Sequence, residues 1–134
     1  MFSDLKHKYW DLTQKVIQCA MYVHKSIGPG FKESVYQNAM AVEMDYNNMK
    51  HNEETTYQIF HRNVLVGSRR VDSVVGDSLV VEYKARRELD DDDLCQGINN
   101  VEASGFEVGL LFNFGSRKLQ FRRLFNNRLE QKES

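Results

Sequence analysis

The sequence predicts a mixed α/β fold, a sheet with helices packed against it, and three observations predict it. Two stretches with helical apolar spacing open the chain, three β-rich runs follow, and a third helical stretch separates these from two further strands. The order is helix, helix, three strands, helix, two strands.

The first helix is expected over residues 4–27, where Leu5, Tyr9, Leu12, Val16, Cys19, Ala20 and Val23 recur at the three-and-four spacing of one buried stripe. Gly28-Pro29-Gly30, holding the only proline of the chain, should stop it. A second helix from about Lys32 to Met49 would use Val35, Tyr36, Ala39, Met40, Val42 and Met44 as its apolar positions and fold back on the first. Thr55 to Phe60 reads as a strand, and His61-Arg62-Asn63 as a turn into a second strand that runs from Val64 to Val75 with a bend or bulge at Gly67. Gly76-Asp77 is a tight-turn signal before the strand Ser78 to Lys84.

Glu88 to Asp93 opens the third helix, which should extend to Ser104 and end near Gly105. Acidic side chains at a helix N-terminus complement its dipole, so the aspartate run is read as a helix start rather than a metal site. The nearly continuous apolar run Phe106 to Phe114 suits a sheet interior, and the alternating Lys118 to Leu124 an edge strand with one wet face. Residues 126–134 are polar and expected to fray.

At 134 residues the chain has the length of a single domain, 1–134, with one core. Hydrophobic residues at 41% and charged residues at 28% place it among globular rather than disordered proteins. No apolar run approaches the roughly 20 residues of a membrane span, and Met1 to Lys6 lacks the apolar core of a secretory leader, so a cytoplasmic location without membrane contact is expected. Cys19 and Cys95 are far apart and read as free thiols. His7, His51 and His61 show no metal spacing, and His24 is read as a helix-end residue in preference to a general base. A net charge of −1 argues against a protein that coats nucleic acid through a basic field, but not against a catalyst.

The most informative residues are Glu82 and Lys84, two apart in Val80-Val81-Glu82-Tyr83-Lys84-Ala85, with Asp72 ten residues before Glu82 on the preceding strand. Period-two geometry turns Glu82 and Lys84 to one face. On a solvated face they would be an ion pair of little consequence. On an interior strand, two carboxylates and a lysine are costly unless they bind something, and they match the donors needed for metal-assisted phosphodiester cleavage. Spacing alone leaves both readings open.

Gly30-Phe31-Lys32-Glu33-Ser34-Val35-Tyr36 carries a G-x-x-E-x-x-Y signature. Together with Val23 to Pro29 before it and Val108 to Gly115 near the end, it resembles the bacterial and archaeal GxxExxY family, placed within the PD-(D/E)XK nuclease superfamily. The resemblance implies a restriction-endonuclease-like sheet and a Mg²⁺- or Mn²⁺-dependent nuclease acting on nucleic acid, DNA in the first instance. It makes Asp72 the motif aspartate and Glu82-Tyr83-Lys84 the E-x-K element. The metal would be held by Asp72, Glu82 and the Tyr83 backbone carbonyl, with Glu33 as a further ligand and Lys84 assisting the attacking water.

The same resemblance makes Gln96 an orienting residue, and Tyr36, Arg70 and Asn100 are the candidates for substrate positioning. On the residues alone, Glu33 reads as a surface glutamate on an amphipathic helix in preference to a ligand, and Tyr36 at least as readily as a side chain packed on the sheet. Asn100 stands where related branches carry tyrosine; an amide hydrogen-bonds but cannot stack on a base. The rival readings are a nuclease-fold binding module without chemistry and a hydrolase of small phosphate esters. A homodimer through the edge strand would suit paired cuts on two strands.

Overall fold

In the computed structural model the described residues are 9–128, so the expected helical residues 4–8 and the tail 129–134 lie outside them. Helix α1 spans Trp10–Ile27 and buries Thr13, Val16, Ile17, Cys19, Ala20 and Val23. It ends where Gly28 takes a φ of +78° and its amide bonds to the His24 carbonyl. Helix α2 spans Glu33–Tyr46, and its buried stripe is Tyr36, Met40 and Met44, one per turn. Val35 and Val42 were expected on that stripe and are instead exposed, Val42 at 68%. Val42 is two residues from Met40, which puts it about 200° round the helix and on the outer face.

Five strands follow: β1 (His51–His61), β2 (Val64–Val75), β3 (Leu79–Lys84), β4 (Val108–Asn113) and β5 (Gln120–Phe125), with α3 (Asp91–Ser104) between β3 and β4. They form one sheet in sequence order. Only β3 and β4 are parallel, because only they are joined through a helix rather than a turn. β3 is buried along its whole length except at Lys84, and β4 is buried throughout.

Each face of the sheet has its own cluster. Val16, Met40, Val81, Tyr83 and Phe112 pack under α1 and α2, while Val74, Val80, Val101, Leu111 and Leu124 pack under α3. Gly109 lets α3 lie directly on β4: a Cβ there would stand 2.6 Å from Val101 Cγ2 and 2.9 Å from the Val80 carbonyl oxygen.

β1 begins at His51, earlier than the expected Thr55, because Glu53 and Glu54 hide the strand's apolar alternation. The β1–β2 turn is the two-residue kind, with Arg62 and Asn63 at φ of +48° and +64°. The register shifts between Ile59 and Phe60, leaving Val66 unmatched beside Gly67, where a bulge was expected. β2 pairs with β3 only from Ser73 to Val75, so the rest of the hairpin extends beyond the sheet as an arm.

The ordered chain also continues past its expected end. Asn126 is buried, its amide bonding to the Glu107 carbonyl and its side chain donating to the Phe106 carbonyl, so fraying does not begin there.

Candidate active site

The β2–β3 ladder stops at the Ser73–Val81 pair. Two residues beyond Val81, the Tyr83 amide donates not to a strand carbonyl but to Asp72 Oδ2, at 2.8 Å. The side chain of Asp72 thus replaces a ladder bond where the two strands part. Side-chain alternation also breaks here: Val71 packs with Val74 and Val80 on the α3 side, although the two-residue period from Val75 would turn it the other way. Opposite Asp72, Glu54 adopts a left-handed φ of +56°.

Glu82 projects toward α3. Its Oε1 accepts a 2.7 Å hydrogen bond from Asn100 Nδ2, and Asn100 Oδ1 accepts one of 2.7 Å from Arg69 Nε. Burial, and then the charge of Asp72, push the Glu82 carboxyl up to about 9. Lys84 shares the face, with Nζ 3.9 Å from Asp93 Oδ1. Asp93 is only 1% exposed and also receives Arg86 Nη2 at 3.3 Å. The aspartate run does cap its helix: the Asp93 amide donates to Asp90 Oδ1 and the Asp90 amide to Asp93 Oδ2.

Glu33 stands exposed at the N-terminus of α2. Desolvation raises its pKa, and the charges of Lys84, Asp72, Arg86 and Asp93 all reach it. One turn on, Gln37 Nε2 donates to the Asp72 carbonyl at 3.2 Å. Behind the site, Glu53 Oε2 accepts from Ser73 Oγ at 2.7 Å and sits 2.9 Å from His51 Nδ1. Below Lys84, the fully buried Asn113 fixes the loop: its Oδ1 accepts from the Arg86 amide and its Nδ2 donates to the Arg86 carbonyl.

Asp72 and Glu82 therefore meet, Lys84 shares the face of Glu82, Asn100 joins them through Glu82, and Glu33 stands near enough for the charges of Lys84 and Asp72 to reach it. The side chain of Tyr83 points into the opposite core, so only its backbone is available on this side. Gln96 is exposed and contributes its carbonyl to Arg69 rather than its amide. Arg70 is turned to Glu54, at 2.6 Å.

Tyr36 is not a substrate-facing residue. It is fully buried, stacked on Phe114 at 4.8 Å, and its hydroxyl donates to the Gly28 carbonyl and accepts from the Phe31 amide. It packs on the sheet, the other reading its sequence position allowed. His24 bonds the Ser116 carbonyl, at 2.9 Å, near the end of α1. Both cysteines are free, Cys19 buried and Cys95 exposed.

Sequence reasoning missed Arg69, Gln37, Arg86, Asp93 and Asn113. Gln37 alone carried a signal, four residues after Glu33 on one helix face. A groove of about 550 Å³ lined by Leu12, Cys19, Glu43 and Met49 contains none of the candidate residues.

The donor set suits a hard divalent cation. A carboxyl that keeps its proton far above the usual range, first through burial and then through the charge of a neighbouring carboxylate, is relieved by a positive ion. Among the described residues no three His, Cys, Asp or Glu side chains are grouped for a metal, so backbone and water would supply the remaining positions.

The sequence matches the PD-(D/E)XK nuclease superfamily over residues 10–124. The chain belongs to that superfamily. Its sheet resembles the crystal structure of SSO0001, with a TM-score of 0.56 and 14% identity over 69% of this chain and 48% of that one. It also resembles an alkaline exonuclease (LHK-Exo) from Laribacter hongkongensis, with a TM-score of 0.51 and 10% identity over 75% of this chain and 59% of the exonuclease. The chain spans about half the length of these structural relatives, and the likeness at such identities is one of fold. No curated protein matches the sequence. Members of the PD-(D/E)XK superfamily typically depend on divalent metal, and no helix among the described residues is long and apolar enough to cross a membrane.

Proposed function

We propose that this PD-(D/E)XK domain, of the GxxExxY branch, hydrolyses phosphodiester bonds of DNA with Mg²⁺ or Mn²⁺. The observation that carries the reading is the convergence of Asp72 and Glu82 where β2 and β3 part, with Lys84 on the same face as Glu82.

Asp72 and Glu82 would hold the cation with the Tyr83 carbonyl, and Glu33 would complete or orient the set. When bound, the ion supplies Lewis acidity that makes water a better nucleophile and offsets charge on the phosphoryl oxygens. Lys84 would hold the attacking water, take its proton, or neutralise charge on the phosphoryl group in the transition state. Asn100 would keep Glu82 aimed and Gln96 would line the approach, while Arg70 would meet the phosphate backbone after release from Glu54. The outer edge of β5 is where a second copy would add, giving two sites for paired cuts.

The test is a panel of duplex, single-stranded and branched DNA, RNA and small phosphate esters, each with Mg²⁺ or Mn²⁺, beside Lys84→Ala. Cleavage of DNA that falls by a hundredfold or more in the variant supports the reading. Equal cleavage by both proteins removes it. One observation favours a second reading, a binding module without chemistry: among the described residues no three His, Cys, Asp or Glu side chains are grouped for a metal. Duplex binding with no effect of Mn²⁺ on the melt would select that reading.

A further inference from the structure

The β1–β2 arm is built unlike the rest of the molecule. From Thr55 to Val71 it carries Arg62, Arg69 and Arg70 and no acidic residue, in a chain whose net charge is −1. β3 reaches β2 only as far as Ser73, so this part of the hairpin has no neighbouring strand on its β2 side. Seven residues of β1, Thr55 to His61, give it a length of about 20 Å, more than half of a duplex turn of about 34 Å. Its base is braced, with Tyr57 edge-on to Phe106 at 6.1 Å and Arg69 bonded to Asn100 at 2.7 Å.

The tip is apolar and wet. Phe60 and Leu65 face each other across the strands at 57% and 53% exposure, with Val64 and Val66 also exposed beside Arg62. Exposed apolar side chains rimmed by arginine mark an interaction surface rather than a core.

We infer that this arm engages a nucleic-acid duplex, Arg62 on the phosphates and the apolar tip beside it against the base edges, and so delivers the strand to Asp72 at its base. The inference rests on the reading of the site as a nuclease. A two-stranded β-ribbon fits the major groove, and apolar side chains on such elements also wedge at minor-groove steps. Charge selects this occupant over a second copy of the chain. Two such arms meeting tip to tip would bring Arg62 to Arg62, and no acidic residue stands between Thr55 and Val71 to offset them, since Glu54 is held by Arg70 at the base.

The test measures binding of a labelled 20-base-pair duplex in EDTA across a salt series, so its outcome does not depend on metal chemistry. Arg62→Gln should lower the slope of log K against log salt by about one unit. Phe60→Ser/Leu65→Ser should weaken binding about tenfold with the slope unchanged, since it removes no charge. Both positions are exposed, and a thermal melt verifies folding. Unaltered affinity and slope in both proteins would overturn the inference. So would a tip variant that changes the sedimentation coefficient but not duplex affinity, which would make the tip a self-association surface. Failure of the nuclease reading shows separately, as absent Mg²⁺-dependent cleavage by a wild-type protein that still binds through its arm.

Discussion

Asn100 Nδ2 donates to Glu82 Oε1 at 2.7 Å, while the Asn100 carbonyl oxygen holds Arg69 Nε at the same distance. A single buried amide therefore aims a carboxylate and an arginine from two different strands. The donated bond favours the charged form of Glu82 and so works against the burial that raises its pKa. Asn100→Leu keeps the volume and loses both bonds. Mn²⁺ affinity, measured by calorimetry, should fall 10- to 100-fold, the usual loss when a residue orienting a ligand is removed.

The raised carboxyl of Glu82 sets a pH dependence with a definite sign. Between its ordinary value of 4.5 and about 9, the folded protein keeps a proton that the unfolded chain releases. Stability from this group is complete below pH 4.5 and declines as pH rises toward 9, by at most about 1.4 kcal/mol per pH unit. Metal-free protein should therefore melt at progressively lower temperature from pH 5 to pH 9, and Glu82→Gln should flatten the curve. Mn²⁺ should raise the melting temperature most at the alkaline end, where less work is needed to remove the proton.

Asp72 has two separable roles. Its Oδ2 accepts the Tyr83 amide proton, and its charge bears on Glu82. Asp72→Asn keeps an acceptor for the amide and removes the charge. The variant should lose Mg²⁺-dependent cleavage by a hundredfold or more while melting no lower than wild type in EDTA at pH 8. Asp72→Ala also loses cleavage but leaves the Tyr83 amide without its partner, a cost of about 1–3 kcal/mol in urea unfolding.

These residues show why part of the site was legible in the sequence and part was not. Glu82 and Lys84 declare themselves through the two-residue period of a strand, and Asp72 through the turn that pairs its strand with theirs. The order of elements follows from Gly28-Pro29-Gly30, from Gly76-Asp77 and from the capped helix start at Asp90, all local signals. Arg69 and Asn100 are 31 residues apart and meet only because α3 crosses the arm. Asp93 looked fully explained as a helix cap, and it is one, yet burial also brings it to Lys84 and Arg86. A residue serving two purposes shows only the local one in sequence.

Tyr36 separates motif from chemistry. Its hydroxyl holds the Gly28 carbonyl at 2.6 Å and the Phe31 amide at 3.2 Å, tying the α1–α2 turn that leads into Glu33. Tyr36→Phe should cost about 1–3 kcal/mol in urea unfolding, because two backbone groups lose their partner. Its kcat per folded molecule should stay within a few-fold of wild type. A hundredfold loss of kcat with unchanged stability would return Tyr36 to the substrate.

Asn113 makes the corresponding argument for the other side of the site. It is fully buried at the end of β4, and its amide bonds the Arg86 amide at 2.9 Å, the Arg86 carbonyl at 3.0 Å, the Gly115 amide at 3.1 Å and Gln120 Oε1 at 2.9 Å. Gln120 Oε1 in turn accepts from the Leu89 amide at 3.1 Å, so the loop between β3 and α3 is held at two points. That loop fixes where Arg86 and the start of α3 stand relative to Lys84. Asn113→Ala leaves several buried groups without partners and should cost about 3 kcal/mol in urea unfolding. Asn113→Asp retains the acceptor that serves two amides but loses the donor to the Arg86 carbonyl, and should fall between the two. Because the loop carries the charges around Lys84, cleavage should drop in both variants in the same order as stability, with the Mn²⁺ affinity of Asp72 and Glu82 little changed. Loss of metal affinity in step with stability would show that Asn113 supports the whole site rather than its lysine side.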